Sequence, residues 1–123
     1  MPQKRVSLRP LNKRVTLKVA ARPLALSDKA VLLHEDGYQP VLYLPISDIP
    51  DGLLIPSDTR THCPHKGDAR YFDLRLENAT IKDAAWNYPV PIPGMEPLAS
   101  LVAFYRDKLD AHKISLVEEV NGE

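Results

Sequence analysis

Between Arg14 and Val19 the chain reads Arg-Val-Thr-Leu-Lys-Val, apolar and polar in alternation. Successive side chains of an extended backbone point to opposite faces, so the pattern predicts a strand with Val15, Leu17 and Val19 turned into a core. Ala30-Val31-Leu32-Leu33-His34, the turn-forming Glu35-Asp36-Gly37 and Val41-Leu42-Tyr43-Leu44 together predict a hairpin. Tyr71 to Leu76 alternates again, Glu77-Asn78 can turn, and Thr80 to Trp86 can return antiparallel, which predicts a second hairpin. Ile114 to Val120 predicts a closing strand, with Asn121-Gly122-Glu123 frayed.

Prolines punctuate the rest. Pro45, Pro50 and Pro56, with Asp51-Gly52 between them, predict a wandering loop from Pro45 to Thr59 with room for one helical turn. Pro89, Pro91 and Pro93 fix an extended path from Asn87 to Gly94. The period then changes: Leu98, Leu101, Val102, Tyr105 and Leu109 fall at i, i+3, i+4, i+7 and i+11, with Pro97 suited to a first turn. That spacing predicts an amphipathic helix over residues 97 to 109. The fold class is mainly β: a small single domain of curved antiparallel sheet over residues 14 to 120, with one C-terminal helix before a last strand. Residues 1 to 13 read as a basic N-terminal tail or edge segment.

Composition supports a globular core, since 44% of the 123 residues are apolar and 26% charged. The formal charge is zero, yet residues 1 to 22 carry seven Lys and Arg residues and no acid, from Lys4 to Arg22. Such asymmetry fits solvated edge strands or an anionic partner. One cysteine allows neither an internal disulfide nor a four-thiolate zinc site, and suggests a reducing, cytoplasmic setting. No apolar run is long enough to cross a membrane as a helix, and no export signal is evident at the N-terminus.

The candidate chemistry gathers in Arg60-Thr61-His62-Cys63-Pro64-His65-Lys66-Gly67-Asp68-Ala69-Arg70-Tyr71. A thiol reacts as its thiolate, which a nearby cation such as Lys66 favours; the alternative is a packed, inert Cys63. Lys66-Gly67 could present an ammonium and an open amide to an anion, or Lys66 could pair with an acid such as Glu35 or Asp68. His62 and His65 flank the thiol, but alternation would send them to opposite sides, so no metal is expected. Trp86, Tyr88 and Tyr71 offer aromatic surface with polar tips for a pocket, against a core role for Trp86. Glu35 and Asp83 are candidate partners or bases, and Phe104 and Tyr105 read as helix residues docked on the sheet.

Three blocks stand in order along nearly the whole chain: Pro40 to Pro45, Thr61 to Tyr71, and Ala85-Trp86-Asn87-Tyr88-Pro89 with Val102-Ala103-Phe104-Tyr105. This pattern resembles the family known as domain of unknown function 427, marked by T-x-C-P-x-K-G-x-A-x-Y followed by W-x-Y-x-x-P. The resemblance implies a β-tent of folded sheets, similar in topology to Mss4-like zinc proteins and B-type methionine sulfoxide reductases. Those relatives hold zinc with paired Cys-x-x-Cys elements, which this chain lacks, so zinc is not expected here. The family also carries a nucleotidyltransferase label.

The leading expectation is a small-molecule-binding domain for an anionic ligand, which could be an enzyme using Cys63 and Lys66. Its site would collect Glu35, Arg60, Thr61, Lys66, Gly67, Tyr71, Trp86 and Tyr88, with no cofactor. One alternative is nucleotide binding or nucleotidyl transfer, although no Asp-x-Asp or similar pair is present to hold Mg²⁺. The other is a non-catalytic interaction module. A nucleic-acid partner ranks low because few aromatics interleave the basic stretch, no membrane partner is expected, and a homo-oligomer stays open.

Overall fold

Alternation delivers the first strands where it should. In the computed structural model, which describes residues 6 to 120, Arg14 to Val19 lies within β2 (Lys13–Val19). This strand sits centrally in a three-stranded antiparallel sheet, between β3 (Arg22–Ser27) and β10 (Ile114–Val120). Val15 and Leu17 lose all exposure to solvent, and each such burial is worth about 1.5–3 kcal/mol.

The second sheet has seven strands: β1 (Val6–Pro10), β4 (Val31–Glu35), β5 (Val41–Pro45), β6 (Leu54–Cys63), β7 (Gly67–Arg75), β8 (Thr80–Pro91) and β9 (Leu101–Phe104). Their spatial order is β1-β4-β5-β9-β8-β7-β6, antiparallel at every step. Period two divides its side chains between two apolar clusters. Leu44, Leu74, Val102 and Phe104 join Val15, Leu17 and Ile114 of the small sheet, forming the core between the sheets. Tyr43, Ala69, Tyr88, Leu101 and Ala103 form a second cluster on the other face with Leu98.

The expected strands β2, β4, β5, β7, β8 and β10 are present, as is the extended proline stretch, which continues β8 to Pro91. Two expectations change. The helix over 97 to 109 resolves into a 3₁₀ turn (Glu96–Ser100), the strand β9 and a short α1 (Arg106–Asp110). All four residues of β9 are buried because β5 and β8 flank it and both faces are covered, and a continuous apolar strand mimics a buried helical run. The loop over 45 to 59 does contain one 3₁₀ turn (Ile46–Asp48), but its second half belongs to β6. Pro56 is tolerated there because β6 is an edge strand with a register shift between Pro56 and Arg60. Arg60 to Tyr71 forms the end of that hairpin, with only residues 64 to 66 as its turn. Strand β3 carries no signature in the sequence pattern, its Leu24-Ala25-Leu26 stretch being too short to alternate visibly.

Of the basic N-terminal segment, Val6–Pro10 forms edge strand β1 against β4, while residues 1 to 5 and the frayed end expected at 121 to 123 lie outside the described residues. Among the described residues no helix is long and apolar enough to cross a membrane.

Two bulges are stapled together across β7. Asp83, in the left-handed region at φ 50°, accepts hydrogen bonds from the Ser57 hydroxyl and, at 2.6 Å, from the Thr59 hydroxyl. Those donors hold its carboxyl below the usual carboxylate range.

The hairpin turn after Cys63 depends on Gly67. Its φ is +125°, and a Cβ there would lie 3.0 Å from the Val90 carbonyl oxygen. Gly67→Ala should therefore cost about 1–3 kcal/mol in urea denaturation. Gly52→Ala, at φ +87° with nothing within 4 Å, should cost less; equal costs would deny the close approach of β8.

Candidate functional site

The turn that joins β6 to β7 closes with the Lys66 amide donating to the Cys63 carbonyl at 3.2 Å, and Ile92 N–H donating to the Lys66 carbonyl at 3.0 Å. Both bonds fix the backbone of Lys66, whose side chain turns inward. Its Nζ reaches Glu35 Oε1 at 2.8 Å, and the two side chains are only 14% and 9% exposed. In sheet order β4 and β7 are four steps apart, roughly 19 Å at the usual strand spacing. Two side chains cannot span that on a flat sheet, so the pair requires the sheet to curl about its second apolar face.

Tyr88 lies beneath this pair, with its ring centroid 6.0 Å from Lys66 Nζ. Burial pushes its hydroxyl up to about 12, helped by the neighbouring Cys63, Tyr71 and Glu35 groups. Tyr43, with 1% of its surface exposed, is likewise raised, first by burial. Cys63 is half-buried and packs against the same cluster.

Register then lays out an aromatic row. Tyr71 stands opposite Trp86, Trp86 opposite Ala103, and Ala103 opposite Tyr43. Trp86 meets Tyr43 edge-on at 6.3 Å and packs on Tyr105 at 4.4 Å, while Tyr105 stacks on Tyr71 at 6.2 Å. Hydroxyls follow the rings: Tyr105 donates to the Tyr71 oxygen at 3.2 Å, and Tyr71 shares a 2.9 Å hydrogen bond with Thr61. Burial and that bond to Tyr71 raise the Tyr105 hydroxyl above its ordinary value.

At its Tyr105 end the row opens on a cleft of about 610 Å³. Leu32, Val41, Leu42 and Phe104 give it apolar walls, and Trp86 and Tyr105 supply an aromatic flank. Arg106 and Asp107 from α1 and Glu118 from β10 stand at the charged rim.

The residues expected from sequence divide accordingly. Glu35, Cys63, Lys66, Gly67 and Tyr88 meet at the hairpin end, and Thr61, Tyr71 and Trp86 connect along the row. Of all these, Trp86 alone lines the cleft. Arg60 does not join them: period two turns it with His62 to the other face of β6, where its guanidinium donates at 2.9 Å to the Ser57 and Thr59 carbonyls. His62 pairs there with Asp68 at 2.6 Å, and no three metal-ligating side chains gather among the described residues. Lys66, expected to hold an external anion, has its charge committed to Glu35. Arg106, Asp107 and Glu118 escaped sequence reasoning because they come from separate elements without a motif; the Phe104-Tyr105 pair just before them was the available signal.

Removing the ammonium should release this hairpin end. Lys66→Ala leaves Glu35 unpaired, and iodoacetamide should then alkylate Cys63 about tenfold faster by mass spectrometry, equivalent to about 1.4 kcal/mol easier local opening. An unchanged rate would show that the pair does not hold the turn in place.

No curated protein matches the chain. A family model, NTP_transf_9, described as Domain of unknown function (DUF427), matches residues 7 to 115, from β1 into β10. The span includes the Cys63 block, the curled sheet and most of the cleft, and on it the chain belongs to the DUF427 family.

Proposed function

We propose that this domain binds a small molecule in the cleft beside Trp86 and Tyr105. One observation carries the reading: a hollow of about 610 Å³ with apolar walls, an aromatic flank and a few charged groups confined to its rim. That size and lining match ordinary ligand pockets, which measure about 300–1,000 Å³. A flat apolar body would be received against the rings, and the rim charges would orient its polar end.

The anion-holding role assigned from sequence to Lys66 passes to Arg106, an exposed guanidinium at the rim. Cys63 and Lys66 support the other end of the aromatic row as positioning groups, and no reaction is assigned to them. Nucleotide binding and a macromolecular interface have no feature of comparable definition among the described residues.

The chain contains a single tryptophan, so Trp86 reports on the cleft without interference. Titration with the neutral fluorophore N-phenyl-1-naphthylamine should quench Trp86 emission saturably at one probe per chain. Leu32→Phe and Pro40→Phe, which fill the cleft from its wall and its exposed rim, should weaken binding while the thermal transition persists. Absence of saturable quenching would refute the cleft as a binding site.

A further inference from the structure

We infer that the cleft is shaped for an amphipathic zwitterion, an apolar body carrying an ammonium and a carboxylate together, as an apolar α-amino acid does. The inference rests on the cleft being the binding site and names the class of its ligand. Charges of both signs stand at the rim over apolar walls: Arg106 and Asp107 at the start of α1, and Glu118 on β10. Among the described residues neither Arg106 nor Asp107 has an ion-pair partner. Glu118 has, among the described residues, only a 3.9 Å ion-pair contact with Lys13, with side chains 39% and 46% exposed, an arrangement that contributes little.

These groups are close enough to line one cleft, yet the guanidinium pairs with neither carboxylate. A ligand carboxylate can take two parallel hydrogen bonds from Arg106, and a ligand ammonium can donate to Asp107 or Glu118. A simple anion would satisfy Arg106 but face two carboxylates. A simple cation would satisfy a carboxylate but face Arg106. Only a head group with both charges uses both, while its side chain covers Leu32, Val41 and Phe104. The apolar walls limit solvent screening on one side and strengthen each contact. Lys66 offers no competing anchor, because Glu35 already occupies it at 2.8 Å.

Three probes with one phenyl body separate the head groups: phenylalanine, 2-phenylethylamine and 3-phenylpropionate, each titrated against Trp86 emission. Phenylalanine should half-saturate at about tenfold lower concentration than either single-charge analogue, as expected for one added charge-assisted hydrogen bond. Arg106→Ala should erase its advantage over 2-phenylethylamine. Asp107→Asn combined with Glu118→Gln should erase its advantage over 3-phenylpropionate. The inference is overturned if phenylalanine binds no better than both analogues, or if none of the three alters Trp86 emission. Should N-phenyl-1-naphthylamine still bind in that event, the cleft stands as a site and only its ligand class falls.

Discussion

The Lys66 ammonium and the Glu35 carboxylate meet at 2.8 Å with both side chains largely shielded from bulk water, which places two charges where desolvation is costly. Such a pair adds little to stability compared with apolar side chains of the same shape. Its consequence is geometric: an unpaired charge at either position would cost about 3–5 kcal/mol, so the chain must bring the two together. Since Glu35 ends β4 and Lys66 sits in the turn just before β7, four strand steps away, the seven-stranded sheet must curl. Gly67 makes the meeting possible by letting the β6–β7 turn approach the Val90 backbone.

Curling organises what lies on the enclosed face. Tyr88 and Cys63 fill the space under the ion pair, and the cross-strand register of Tyr71, Trp86, Ala103 and Tyr43 extends that packing toward Tyr105. The aromatic row thus links two ends with different characters. At the hairpin end Lys66 is paired with Glu35 over Tyr88. The Tyr105 end opens into a cleft where, among the described residues, Arg106 and Asp107 have no ion-pair partner. Glu35, Lys66 and Gly67, which draw attention in the sequence, thus stand where the sheet closes, while the charged groups of the proposed binding cleft come from α1 and β10.

That division explains what could be read from sequence. Alternation revealed β2 and β7, and turn residues revealed the β4–β5 hairpin, because each signal is local. Strand β9 was hidden, since a strand buried on both faces has no alternation, and its apolar positions fell into helical spacing with Leu98 and Leu109. Strand β6 was hidden by Pro56 and a polar run that only its pairing with β7 makes regular. Glu35 could be named as a partner for Lys66, alongside Asp68, but not chosen, because the choice depends on the curl. The side of β6 that Arg60 takes could not be read either, because period two applies only once its strand is known. The cleft residues arise from β4, β5, β8, β9, α1 and β10, and no spacing in the chain could bring them together.

A double-mutant cycle on Lys66 and Glu35, with Lys66→Met, Glu35→Leu and the combined variant compared by urea denaturation, tests the governing role of this pair most directly. Each single substitution should cost about 3–5 kcal/mol, and the combined variant should recover at least about 2 kcal/mol of their sum. Costs that add to within about 0.5 kcal/mol would contradict a sheet closed by this contact.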